Sequence, residues 1–188
     1  MSEIEDWALI ARAQGGDMDA FQVLIVRYQR PVIHFCYRML RSEQDAEDVA
    51  QEVFIRVYRY LKRLTPQAKF STVLFGIARN LCLNFVRDMN RRGRGMGQPL
   101  DAQPALESNV RIPSQEAHLK EIEACIQAAM DTLSDDHRMV LFLRDVEGLD
   151  YEEIARVMKC RKGTVKSRLA RAREQLRQTL IQNGDDLL

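Results

Sequence analysis

Residues 147–176, EGLDYEEIARVMKCRKGTVKSRLARAREQL, decide the reading of the whole chain. Tyr151, Ile154, Ala155 and Met158 fall at i, i+3, i+4 and i+7, which lines one face of a short helix. Val165, Leu169, Ala172 and Leu176 line a second helix in the same way. Asp150 offers an N-cap oxygen to the first helix, and Glu153 completes a capping-box pattern. Lys159 to Lys162 has the length of a helix-turn-helix turn, although it lacks the usual glycine. The second helix buries its stripe and leaves Lys166, Ser167, Arg168, Arg171 and Arg173 outside.

From Arg156 to Arg177 there are nine bases against one acid, Glu174. Cations at that density release counterions from a polyanion, and short polar or basic residues near a helix start can reach base edges in a major groove. The plainer alternative is a solvated helical hairpin whose basic end complements the helix dipole. Turn length, both apolar stripes and the charge placement would then have to coincide by chance.

GTVKSRLARAREQL, preceded by GLDYEEIARVMKC, resembles the fourth region of bacterial extracytoplasmic-function (ECF) sigma factors. The resemblance implies a helix-turn-helix that reads the −35 promoter element, with Thr164, Lys166, Ser167, Arg168, Arg171 and Arg173 as its candidate DNA contacts. DAEDVAQEVFIRVYRYLKRL, followed by FSTVLFGIARNLCLNFVRDMNRR, resembles the second region of the same family. Two motifs in the right order are more specific than either alone.

At 188 residues the chain is one large domain or two small ones. No apolar run reaches membrane-spanning length, and the acidic start MSEIEDW lacks a signal peptide's apolar core, so a cytoplasmic location is expected. A net charge of +1 argues against nucleic acid until its distribution is read. Residues 56–92 carry nine bases and one acid, and residues 43–52 carry five acids and no base. Eight acids and two bases over 131–153 then precede the basic helix. The total therefore hides two acidic and two basic surfaces. Cys36, Cys82, Cys125 and Cys160 form no C-x-x-C pair, and His34 and Cys36 diverge on a helix, so neither a metal site nor a cofactor is expected.

Along the chain, Ile4 to Ala13 reads as a helix ended by Gly15-Gly16, and Asp17 or Asp19 caps a second that runs to about Leu40 with a kink at Pro31. Ser42 opens a third, to about Leu64, and Thr65-Pro66 stops it. A fourth spans Phe70 to about Asn90. Phe70, Val73, Leu74, Ile77, Leu81 and Phe85 form one apolar face of it, Phe75, Cys82 and Val86 another, and Gly76, Asn80, Leu83, Asn84 and Arg87 a polar seam. Residues 91–113 lose all periodicity and read as a flexible linker. Ser114 caps a helix to about Met130, and Ser134 another, with Met139, Val140, Leu143 and Val146 inward. The expected fold is all-α: two small helical domains, 1–92 and 114–188, joined by a linker at 93–113, with the helix-turn-helix in the second.

The resemblance implies that the acidic third helix meets the β′ clamp of core RNA polymerase. Asp45, Asp48, Gln51, Glu52 and Phe54 are the candidate contacts, and an acidic stripe complements a basic partner. It also implies that the fourth helix and its preceding loop take the −10 element, using Lys62, Lys69, Gly76, Asn80, Asn84, Arg87 and Arg91. A base that leaves its stack needs replacement hydrogen bonds and stacking, which two asparagines with flanking cations can help supply. The second domain would dock on the polymerase β flap, and an anti-sigma factor is a further expected partner.

Two residues depart from the family pattern. Val73 stands where F-x-T-W-L has tryptophan, and Arg161 stands where serine or proline often begins the recognition helix. The implied function is promoter recognition and strand opening as a polymerase subunit, with no enzyme activity and no small-molecule substrate. The rival reading is a dimeric helix-turn-helix regulator, which would leave the acidic stripe and the polar seam without a role.

Overall fold

The computed structural model describes residues 3–91, 125–126 and 128–184, and every regular element among them is helical. The N-terminal unit comprises α1 (Glu3–Gln14), α2 (Met18–Leu40), α3 (Glu43–Tyr60) and α4 (Phe70–Arg91), with a 3-10 turn at Leu61–Arg63. In the C-terminal unit, a helical stretch ends at Asp131 and is followed by α5 (Asp135–Leu141), a π-helical segment (Phe142–Val146), α6 (Tyr151–Met158) and α7 (Lys162–Gly184). The expected linker at 93–113 and the expected cap Ser114 lie outside the described residues.

Local chemistry sets the helix ends. Gly16 turns the chain at φ +101°, a conformation glycine takes without strain. Asp17, not Asp19, then caps α2 by accepting from the Ala20 N–H at 3.2 Å. α2 continues through Pro31 as a single helix. Ser42 Oγ accepts from the Asp45 N–H and opens α3. α3 stops at Tyr60, short of the expected Leu64. The Gln14 side-chain amide donates to the Leu61 and Leu64 carbonyls, both at 2.9 Å, across the tightened 3-10 turn. Trp7 Nε1 donates to the Ala68 carbonyl and ties down the loop before α4.

α4 buries a stripe rotated from the expected one. Phe70, Leu74, Phe75, Ala78, Leu81 and Cys82 are inside, whereas Val73, Ile77 and Phe85 are half-buried. The rotation turns Phe75 toward Phe35 of α2, with ring centroids 5.4 Å apart. Cys36 and Cys82 are both fully buried free thiols in mutual contact, and the hydrogen bond from its neighbour together with burial pushes the Cys36 thiol up. Asp6 is a buried carboxylate that accepts from Arg27 and from the Tyr28 hydroxyl, which binds α1 to α2.

The C-terminal unit packs directly on the N-terminal one, and the two share a continuous apolar core. Ser134 caps α5 through the His137 N–H, and Met139, Val140 and Leu143 are buried as expected. Val146 is not; it is 59% exposed, because the wider π winding of residues 142–146 turns it outward and presents Phe142 to the seam instead. The Phe142 ring meets His34, Phe35 and Phe75 in edge-on contacts with centroids 5.2–6.3 Å apart. Arg138 is 1% exposed and fully engaged. It donates to the Met130 and Leu133 carbonyls and to Asp135 within its own unit, and to the Arg38 carbonyl near the C-terminus of α2. The orphan carbonyls and negative pole of a helix end suit a guanidinium.

Candidate nucleic-acid interface

The helix-turn-helix forms as the residue types require. Asp150 accepts from the Glu152 and Glu153 N–H groups, and Glu153 accepts from the Asp150 N–H at 2.8 Å. The Glu153 N–H, then that of Glu152, holds the Asp150 carboxyl below its usual range. Ile154 and Met158 are buried, Tyr151 and Ala155 half-buried, and Val157 joins them inside. The missing turn glycine is replaced by Lys159, which itself adopts φ +50° at a strain of about 1 kcal/mol. At the start of α7 the Thr164 and Val165 N–H groups donate to the Arg161 carbonyl, and the arginine side chain carries no oxygen with which to cap.

The six candidate −35 residues do not share one face. At roughly 100° per residue, the buried stripe of Val165, Leu169 and Ala172 puts Ser167 near the centre of the outward face. Thr164, Arg168 and Arg171 fall on one flank, and Lys166 and Arg173 on the other. Arg168 is paired with Asp136 at 2.7 Å and Arg173 with Asp145 at 2.6 Å, both within the C-terminal unit. The Lys166 ammonium lies over the Tyr151 ring, 5.8 Å from its centroid. Ser167 and Arg171 are exposed. Arg161 and Lys162, outside the candidate set, are also exposed at the helix start, and Lys162 reaches Glu152 at 2.7 Å.

In the N-terminal unit the polar seam of α4 does face outward. Asn80 and Leu83 are half-buried, Asn84 and Arg87 are exposed, and a Cβ built on Gly76 would meet nothing within 4 Å. Arg91 is exposed and pairs with Asp88 at 3.2 Å. Lys62 is exposed on the 3-10 turn. Lys69 stands apart from these, because its ammonium is 3.0 Å from the Glu153 carboxylate of the helix-turn-helix. The capping glutamate of one unit thus holds a loop cation of the other. Val73, at the family's tryptophan position, is half-buried at the start of α4.

The candidate polymerase contacts divide between two places. Gln51 and Phe54 line a groove of about 420 Å³ between α2 and α3, opposite Ile25, Gln29 and Ile33. Asp45, Asp48 and Glu52 lie roughly a third of a turn round α3 from that groove. Glu52 is held by Arg56 at 2.9 Å. Ile25, Ile33 and Ile55 escaped the sequence reading. Their signal was apolar residues on outward positions of two otherwise amphipathic helices, where Val23 and Val26 are also exposed. Among the described residues no group of histidine, cysteine or carboxylate side chains is placed to hold a metal ion, and no helix is long and apolar enough to cross a membrane.

Comparison with known proteins agrees with this architecture along most of the chain. The Sigma-70 region 2 profile matches residues 24–92, and the Sigma-70, region 4 profile matches residues 123–176. The RNA polymerase sigma-H factor of Pseudomonas aeruginosa is 35% identical over 185 residues, covering 96% of each chain. The ECF RNA polymerase sigma-E factor of Escherichia coli is 37% identical over 180 residues, 93% of this chain and 94% of that one. Of solved structures, CnrH in complex with the cytosolic domain of CnrY shares the fold, with a TM-score of 0.67 at 24% identity over 94% of this chain and 97% of that one. The sigma factor RpoE of Bartonella quintana, in complex with the anti-sigma factor NepR, aligns with a TM-score of 0.64 at 27% identity over 85% and 96% of the two chains. With both regions matched in order and these relatives aligned along nearly its whole length, the chain belongs to the ECF sigma factors, the initiation subunits that bring RNA polymerase to promoters.

Proposed function

We propose that α7 reads the −35 element, that the loop before α4 and the polar seam of α4 capture the −10 element, and that the α2–α3 groove seats the β′ clamp of the polymerase. The observation that carries this reading is the helix-turn-helix itself, a fully formed capping box beneath a helix whose outward face is basic. Arg171 and Ser167 are the favoured base-reading residues, with Lys166 and Thr164 beside them. Arg168 and Arg173 reach a phosphate by exchanging Asp136 or Asp145 for it. Asn80, Asn84 and Gly76 flank the space for an extruded base, while Lys62, Lys69, Arg87 and Arg91 hold backbone. On the polymerase side, Gln51 and Phe54 enter the interface with α2, and Asp45 and Asp48 steer docking from its edge. Glu52 contributes once released from Arg56.

Residues 1–92 and 114–188 then act as separate promoter-binding domains, with 93–113 spanning between them along the polymerase. The chain carries out no covalent chemistry; the polymerase does. It works in the cytoplasm, where polymerase and DNA are, and an anti-sigma factor holds it inactive, a partner of the kind that NepR is for the sigma factor RpoE of Bartonella quintana.

Run-off transcription with purified core polymerase on a promoter library tests the whole reading. The expected result is RNA from a subset of promoters sharing −35 and −10 elements; no RNA from any would overturn it. Arg171→Ala should weaken binding at the −35 element by about 1–3 kcal/mol if it reads a base, and equally on all sequences if it holds phosphate. Asn80→Ala should spare −35 binding and reduce permanganate reactivity of the opened strand.

A further inference from the structure

One open cleft lies away from the α4 seam, the recognition helix and the clamp groove. It lies where the α1–α2 turn meets the end of α3 and the 3-10 turn, and encloses about 1090 Å³. That is at or above the upper end of small-molecule pockets, roughly 300–1,000 Å³, and the described residues lining it all belong to the N-terminal unit. An open cleft of this size suits a segment of polymer better than a metabolite.

Its walls are aromatic and cationic. Tyr58 and Tyr60 both line it and stay 52% and 53% exposed, whereas every other phenylalanine, tyrosine and tryptophan ring of the chain is buried or half-buried. The Tyr58 ring is backed by Phe21 of α2, with centroids 5.6 Å apart, so it presents a braced platform. Arg59, Lys62 and Arg63 surround the rings and are exposed, and none has an acidic partner among the described residues. Among the described residues lining the cleft the one acid is Glu52, which pairs with Arg56 at 2.9 Å in the free chain. Gln14 braces the wall by holding the Leu61 and Leu64 carbonyls together.

Exposed rings among unpaired cations are the two elements of sequence-tolerant single-strand binding: stacking for bases and charge for the backbone. We propose that this cleft is a second single-strand site, distinct from the α4 seam, in which Tyr58 and Tyr60 stack bases of the parted DNA strand while Arg59 and Arg63 hold its phosphates. Lys62, at the rim, makes the path continuous with the −10 loop. The inference rests on the strand-opening reading above and extends the footprint of the unpaired strand beyond α4.

The test places a benzophenone amino acid at Tyr60 in the full chain, assembled with core polymerase on a promoter carrying a preformed bubble. A cross-link to the displaced strand is expected. A cross-link to a polymerase subunit instead, or none to DNA while the complex still makes run-off RNA, would overturn the inference and leave the parent reading intact. Failure of the unsubstituted chain to make RNA at all would remove the parent reading and this one with it. A second measurement avoids the bubble: anisotropy of labelled oligothymidylate with the full chain. Tyr58→Ala combined with Tyr60→Ala should weaken binding about tenfold, and phenylalanine at both positions, which keeps the contact with Phe21, should restore it. Equal affinity of the alanine and phenylalanine pairs would show that the rings do not stack.

Discussion

The two units treat their candidate DNA-binding cations differently. In the C-terminal unit, Arg168 and Arg173 are held by acids of the same unit, while Arg171 is exposed and the exposed Ser167 hydroxyl donates to the Thr164 carbonyl. In the N-terminal unit, Lys69 of the −10 loop is held by Glu153 of the other unit, at the seam between them. On the proposed reading, the C-terminal unit meets duplex DNA without any change in how the units are packed. The N-terminal loop becomes fully available only when the seam opens. On that reading the packed chain occupies Lys69 of the −10 loop with Glu153, a residue that also caps the helix-turn-helix.

The most severe way to break this asymmetry is Phe142→Ala. Phe142 is almost wholly buried against Phe35, Phe75 and His34, and losing it should cost about 3–5 kcal/mol. Urea denaturation would measure the loss, and small-angle scattering should show the free chain expanding as the units part. Unchanged dimensions at reduced stability would mean that the remaining seam contacts suffice.

A subtler variant is Glu153→Gln. Glutamine keeps the reciprocal capping bond to Asp150 but gives up the charge that holds Lys69. Because Lys69 is partly exposed, the pair contributes at most about 1 kcal/mol, and binding of a single-stranded −10 oligonucleotide should tighten by less than tenfold. Duplex −35 binding should not change. If both tighten together, the two units are coupled more strongly than one ion pair explains.

The smallest expected effect is one of pH. Burial, and then the Arg38 cation, lowers the His34 pKa from 6.5. The packed chain therefore favours the neutral ring, which sits edge-on to Phe142. As pH falls through 6.5 the unpacked chain takes up the proton more readily, so stability is lost from that point down to the lowered pKa. Glu147, on the same seam, acts in the opposite sense. Burial raises its carboxyl above 4.5, so the packed form gains as it protonates. Thermal melting from neutral to mildly acid pH, with His34→Gln as the control, should show a decline that the variant lacks.

How legible each feature was depended on the range of the interaction behind it. The capping box at Asp150 and Glu153 and the Ser42 and Ser134 caps formed as expected, because a cap joins residues only a few positions apart. The Lys159–Lys162 turn was also placed correctly, although α7 already begins at Lys162. The apolar face of α4 came out rotated because α1, α2, α3 and α6 all pack against a helix that is apolar on two sides, and periodicity cannot choose between them. The end of α3 was misplaced because Gln14, 47 residues before Leu61, takes up its carbonyls. Val146 was misjudged because a π winding shifts the register that a 3.6-residue period assumes.

From spacing and local bonding follow the all-α class, the helix-turn-helix and the segregation of charge, while the resemblance of two motifs to a known family supplied the two regions and their order. Only the packed structure decided that Glu153 holds Lys69, that Arg138 grips the end of α2, that Glu52 parts company with Gln51 and Phe54, and that Tyr58 and Tyr60 share a cleft with Gln14. Each of these joins residues from different elements, and a side chain's partner across such a distance is set by how the helices pack together, which no local pattern encodes.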